Sequence, residues 1–477
     1  MDFNWTLFVD LGIISTALLL ATFLRAKIPF FQRFLIPNAL TAGFILLPFY
    51  NFVFPQIGVS SEGLGDLAYH LLAISFVGVA LRRSPEETER RGKRRFSLAV
   101  GILSQYAVQA FLGLILTFVM MSTIFPRVYE PFGFLLPLGF VLGPGQALAI
   151  GRGWTAFGIE GAGSVGLTFA ALGFILASFG GVYLINYGLR HGWVTRHQLD
   201  RMHSKKVTTG VVPRHAEKPV GTRLTTETEA IDSMTFNAAI VFVVYLAAYL
   251  FLRLMNVVLP ELLGDAGQEL AVNLWGIHFI FAAIFGLAAK QIIRRLGVDH
   301  VVDNGTLTRI SGWGVDYMVA SAIAAISIVV VQQYIGPILV LGAVGALFAF
   351  VTLPWIASRL YRDHQFHRMI LLFGISTGTL TTGLALLRVL DPEFETPVAT
   401  DYAYASGMVF LLAIPLILSI NLPVRAYVTG DMSYFWLAVA VSAAYVVFVF
   451  FSYLILARGR AFKRASEVWL RKQDQGS

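Results

Sequence analysis

The chain has 477 residues, of which 56% are hydrophobic and 13% charged, and its mean hydropathy is +0.70. That balance excludes an ordinary soluble enzyme and reads as an all-α polytopic membrane protein. The absence of cysteine removes disulfide frameworks, thiolate metal sites and cysteine nucleophiles together. A net charge of +8 raises nucleic acid as a partner. The basic runs lack the interleaved aromatics of such a surface, so membrane lipid is the expected partner and nucleic acid is not.

A helix needs about 20 apolar residues to cross the hydrocarbon core. Taken in chain order, spans are predicted at Trp5–Leu24, Ile36–Phe54, Leu67–Leu81 and Phe96–Ile124. The opening MDFNWTLFVDLG carries acids instead of a basic leader, so the first span reads as retained, not as a signal peptide. A glycine-rich interrupted region, 132–154, comes next and is followed by a span over Gly163–Leu189. Residues 1–190 thus form a first unit, and the hydrophilic 191–233 reads as a mobile cytoplasmic linker. The second unit, 234–422, repeats the plan: spans at Met234–Leu252, Leu274–Ile293, Val315–Gln332 and Pro337–Leu360, an interrupted region at 369–388, and a span at Tyr402–Leu422. Residues 423–477 add one span, Tyr434–Leu456, and a basic tail.

Charge placement decides how the interrupted regions are threaded. With the N-terminus outside, and both regions entering the membrane and returning on the same side, 32 of the 36 lysines and arginines fall on the cytoplasmic side. If only one region crossed fully, either the basic linker or the basic tail would lie outside, against the positive-inside bias. Each unit is therefore expected to hold five spans and one re-entrant hairpin. An odd number of spans inverts the second unit relative to the first, and the two hairpins should meet near the midplane.

The hairpins carry the candidate site. GPGQALAIGR, from Gly143, is echoed by GTLTTGLALLR, from Gly378. Gly143, Pro144 and Gly145 prevent a continuous helix, and Gln146 adds an amide that donates and accepts. In the second copy Ser376, Thr377, Gly378, Thr379, Thr381 and Thr382 supply hydroxyls and free backbone. Amides at half-helix N-termini suit a carboxylate, and hydroxyl and carbonyl oxygens suit an alkali cation, with Thr379 and Thr381 the first choice for sodium. Arg388, like Arg152, closes its motif and is a candidate for a substrate carboxylate or a snorkelling anchor. Asp66, Glu160 and Asp316 are open to two readings, a cation-linked role inside the membrane or a place at the water interface, and His70 reads as a core histidine. Gln105 and Gln109, four residues apart on one helix face, read as inter-helix hydrogen-bonding groups. No Walker loop, GxSxG elbow or metal-ligand spacing of histidines is present, so neither enzyme chemistry nor an organic cofactor is expected.

Three further stretches carry a family likeness: FLIPNALTAGFILL from Phe34, LTFAALGFILASFGG from Leu167, and GISTGTLTTGLALLR from Gly374. Together with the paired five-span plan, they resemble the bacterial sodium/glutamate symporter family over roughly Ile36–Leu422. The resemblance implies an elevator-like carrier, dimeric, in the bacterial inner membrane, that takes up glutamate or a related small carboxylate with sodium as the coupling ion; the charge count puts its C-terminus in the cytoplasm. The first hairpin departs from the family, reading GPGQALAIG where a Gly-Gly-His-Gly-Thr-Gly type of run is usual, and the last span is an addition. A proton- or sodium-coupled carrier of another organic anion remains open, as does a channel or sensor with a cytoplasmic partner.

Overall fold

The computed structural model describes residues 5–82, 92–193, 209, 211–212, 214, 220–391 and 396–463. Most of the expected linker and most of the basic tail lie outside these residues. Among the described residues the regular structure is all helical, without a strand, and nine helices are long and apolar enough to cross a membrane. The chain is a multi-pass helical membrane protein.

The first unit begins with α1 (Thr6–Lys27), α2 (Asn38–Pro48), α3 (Glu62–Leu81) and α4 (Gly92–Ser122). An irregular first arm follows: a 3-10 turn at Glu130–Phe134, a single α-turn at Leu135–Pro137 and a π-turn at Leu138–Leu142. Then come α5 (Pro144–Gly153) and α6 (Ala162–Arg190). The second unit has α7 (Ser233–Leu263), α8 (Asp265–Gly276), α9 (His278–Arg295), α10 (Asn304–Ala324), α11 (Ile328–Gln333) and α12 (Ile335–Leu360). It continues through α13 (Gln365–Thr377), α14 (Leu380–Leu390), α15 (Val398–Leu418) and α16 (Leu422–Thr429), and the chain's last described long helix is α17 (Met432–Ala457).

Helix starts follow local chemistry. Asp232 accepts from the Met234 and Thr235 N–H groups at the head of α7, and Asp431 does the same for Ser433 at the head of α17. Each satisfies an amide that has no acceptor inside its helix.

At the centre, α3 packs against α10. Around this pair, α2 lies on α10 and α9 lies on α3, so the second span of each unit meets the third span of the other. The peripheral helices α1, α7 and α17 keep most of their apolar surface exposed, as lipid-facing helices do.

Two expected spans differ from what is found. Val315–Gln332 is not one helix: α10 starts earlier, at Asn304, and stops at Ala324. Ser327 then caps α11 through the Val330 N–H, and Asn51 bridges the gap, donating to Ile326 O at 2.9 Å and accepting from Ile328 N–H at 3.0 Å. Likewise Leu274–Ile293 is bent by 73° at Ile277, between α8 and α9.

Candidate functional site

Both glycine-rich regions break where the sequence places them. The first arm stops at Gly143, whose φ of +97° and ψ of 179° lie in a region open essentially to glycine alone. Pro144 then opens α5 at a position where its missing N–H is not needed. In the second region α13 ends at Thr377, and α14 starts after Gly378 and Thr379. α13 has 13 residues, about 20 Å at 1.5 Å per residue, and the first arm is no longer. Neither is long enough to cross a core of about 30 Å alone.

The two breaks touch. A Cβ at Gly143 would sit 3.1 Å from Thr379 Cγ2 and 3.7 Å from the Gly378 carbonyl oxygen. Helical bonding in α5 resumes with Ala147 N–H to Gly143 O, and in α14 with Gly383 N–H to Thr379 O. Two helices therefore start from one place, and their first-turn N–H groups and positive dipole ends converge there.

The expected residues divide by what their side chains do. Gln146 is 6% exposed, beside Gly143. Gly145 is wedged against the central pair, with room for a Cβ only 2.7 Å from Leu72 Cδ1 and Met318 Sδ. Thr379 and Thr382 pair their hydroxyls at 3.3 Å, and Thr382 is buried. Thr377 spends its hydroxyl on Phe373 O, within its own helix. Ser376 is fully buried, and its Oγ has no hydrogen-bond partner. Thr381 lies on the first turn of α14, with its side chain outside the described residues. Arg388 is exposed, eight residues into α14, about 12 Å along the helix from the break. Packing accounts for other glycines: a Cβ at Gly374 would come within 2.6 Å of Gly383 Cα, so these two let α13 and α14 lie together.

Charges the sequence assigns to topology or leaves open either enter ion pairs and hydrogen bonds or lie exposed. Arg152 reaches from α5 to Asp66 on α3, Nη1 to Oδ1 at 2.8 Å, and donates also to Glu62 O. Arg368, at the base of α13, is wholly buried and bonds Asp401 of α15 at 2.8 Å. Arg94 of α4 joins the same carboxylate at 2.7 Å and Asp363 at 2.8 Å. His70, expected in the core, is exposed on α3, where it bonds the Tyr245 hydroxyl at 2.7 Å. Glu160 and Asp316 are exposed. Among the described residues no group of three or more His, Asp or Glu side chains is arranged to hold a metal ion.

The expected inter-helix bonding of the glutamine pair holds for one of its groups. Gln105 donates to the Thr352 hydroxyl at 2.9 Å, but its Oε1 and both polar atoms of Gln109 are buried without a partner. Their i, i+4 spacing was the available signal. A cleft of about 300 Å³ lies elsewhere, between α2, α6 and α11, and its lining, with Phe44, Leu47, Ala171, Leu172 and Ile175, suits an acyl chain better than a polar solute. Comparison with protein-family models, with curated proteins and with solved structures gave no match to this chain.

Proposed function

We propose that the chain is a secondary active transporter of the bacterial cytoplasmic membrane, a sodium-coupled carrier for glutamate or a related small carboxylate. The observation that carries this reading is the contact between the two helix breaks. Two interrupted segments at corresponding places in two halves, meeting inside an apolar bundle, are the arrangement by which carriers form a midplane site. Irregular backbone at that depth needs a protein or cavity lining, and the two breaks supply one another's.

The cross-packing of α2 on α10 and α9 on α3 supports an inverted relation between the units. The short arms support re-entrant hairpins. At their junction, the N–H groups opening α5 and α14 take the substrate carboxylate, which the two dipole ends favour by about 0.3–1 kcal/mol each at exposed sites and more when buried. The Thr379 and Thr382 hydroxyls and the Gly378 carbonyl face the same junction and supply oxygen donors. Alternating access then moves the arms with α5 and α14 against the α3–α10 centre, in an elevator-like way and within the dimer that the family resemblance implies.

The test is counterflow of labelled glutamate and of dicarboxylates in proteoliposomes, with and without sodium. The wild-type protein should exchange label for unlabelled substrate in sodium and not in choline. Thr379→Val combined with Thr382→Val should abolish that exchange while the protein still inserts and purifies as a folded species. Wild-type exchange in this variant would remove the hydroxyl pair from the site, and simple gradient dissipation without counterflow would make the protein a channel.

A further inference from the structure

Buried polar atoms are nearly always hydrogen-bonded, and those left unpaired weaken a fold. Gln105, Gln109 and Ser376 are each fully buried, yet Gln105 Oε1, Gln109 Oε1 and Nε2, and Ser376 Oγ have no partner. They are not scattered. On α4 the residues Gly101, Gln105, Gln109 and Gly113 recur every four positions, a stripe that turns about 40° at each step. At one end of the stripe, a Cβ at Gly101 would lie 3.2 Å from Leu372 Cδ1 of α13; at the other, Gly113 abuts the Gly133 backbone of the first arm. The two glutamines therefore occupy the angle between α13 and the first arm. Ser376, one turn beyond Leu372, is on the α13 face that meets α4. Since the first arm runs antiparallel to α4, Gln109 and Gln105 fall near the levels of Pro137 and Val141, approaching the break at Gly143.

The orphaned atoms are mostly acceptors. The Gln105 amide is held by Thr352, so its oxygen is fixed, and the Gln109 oxygen and the Ser376 hydroxyl, which can turn its lone pairs inward, stand with it beside one N–H₂ group. Neutral oxygens that are already desolvated suit a small cationic centre and offer little to an anion. The N–H groups opening α5 and α14, a short distance away, have the opposite preference. We propose that Gln105, Gln109 and Ser376 form a cation-accepting pocket between the two arms, holding either the coupling sodium ion or the ammonium group of an amino-acid substrate beside the carboxylate at the helix N-termini. The assignment rests on the carrier reading for its carboxylate neighbour. A positive charge buried among neutral oxygens is costly alone and is compensated when the carboxylate arrives, so each charge raises the affinity for the other by the same factor.

The experiment is thermal unfolding of the detergent-solubilised full chain in sodium chloride or choline chloride, alone and with L-glutamate or glutarate. Wild-type Tm should rise by a few degrees, on the order of the stabilisation that about 100-fold saturation gives, in sodium or with glutamate over glutarate. The ion as occupant predicts the first response, the ammonium the second. Gln105→Met with Gln109→Met, and separately Ser376→Ala, should leave the ligand-free Tm unchanged or higher, because unpaired polar atoms have been removed, and should erase the response. Gln109→Glu adds a counter-charge and should enlarge it. A wild-type response in the methionine variant overturns the pocket, as does a ligand-free Tm that falls by several degrees in both the methionine and the alanine variants, since the side chains would then be structural. Absence of any wild-type response overturns it too. None of these readouts requires transport, so counterflow in wild-type protein together with a negative result here leaves the carrier reading intact.

Discussion

Gly143 shows how much one residue can hold in place. Its φ of +97° with an extended ψ is a backbone state that a side chain makes costly, by about 1–3 kcal/mol. A second restriction is local, because a methyl group there would press on Thr379 Cγ2 at 3.1 Å. Gly143→Ala should therefore lower Tm in detergent. Adding Thr379→Ser, which takes away the opposing methyl, should restore the smaller share of the loss, since the dihedral penalty remains. Full recovery in the double variant would mean that the contact, not the backbone, sets the requirement. The residue type was legible in the sequence, where Gly-Pro-Gly cannot continue a helix. Its contact with Thr379, 236 positions later, was not, because nothing local to either segment specifies the other. Gln109 is the reverse case. Its helix face was readable, but an amide without a partner becomes visible only when every neighbour is in place.

Elements were legible where apolar length alone defines them and illegible where a distant side chain ends them. The span expected at Val315–Gln332 illustrates this: the apolar run continues through Ala325 and Ile326, yet the helix has stopped at Ala324, where Asn51 binds the backbone on both sides of the gap. The head of the same helix, by contrast, was set by its own residues. Asp303 accepts from the Thr306 N–H at 2.7 Å and from its hydroxyl at 2.8 Å, and also from the Arg223 N–H at 3.3 Å, which ties the end of the linker to α10. Burial works to raise the Asp303 pKa, but these hydrogen bonds outweigh it and hold the carboxyl below its ordinary 3.8. A depressed folded-state pKa gives stability that is complete above the unfolded value and is lost as pH falls through the folded one. The cap should thus support α10 at neutral pH and fail in acid, below about pH 4. Asp303→Ala should lower stability by about 1 kcal/mol at pH 7 and narrow its gap to the wild type as the pH drops through that window, read by thermal unfolding against pH. A gap that stays constant down to pH 3 would show that the carboxylate charge is not what caps the helix.

At the scale of the molecule, the question is how many times the chain crosses the membrane, and buried charges already constrain which helices move together. Asp401 draws Arg94 and Arg368 to one fully buried carboxylate, fastening α4, α13 and α15 at their shared end. Within the first unit, the exposed Arg152 to Asp66 pair joins α5 to α3, a surface contact that the proposed movement of α5 against α3 has to break. The sequence counted these arginines as topology signals, because pairing between segments far apart in the chain cannot be read from charge order alone. Topology itself can be measured, since the natural chain has no cysteine and single-cysteine variants need no background removed. Ser60, Leu296 and Thr429 are exposed at helix ends. If the first arm with α5, and α13 with α14, each enter and return, an odd number of crossings separates Ser60 from Leu296 and another odd number separates Leu296 from Thr429. Ser60→Cys and Thr429→Cys should then react with a membrane-impermeant maleimide in intact cells, and Leu296→Cys only after permeabilisation. Were the first interrupted region a full crossing, Ser60 and Leu296 would label from the same side; were the second, Leu296 and Thr429 would. Either result removes the corresponding hairpin, and with it the inverted pair on which a shared midplane site depends.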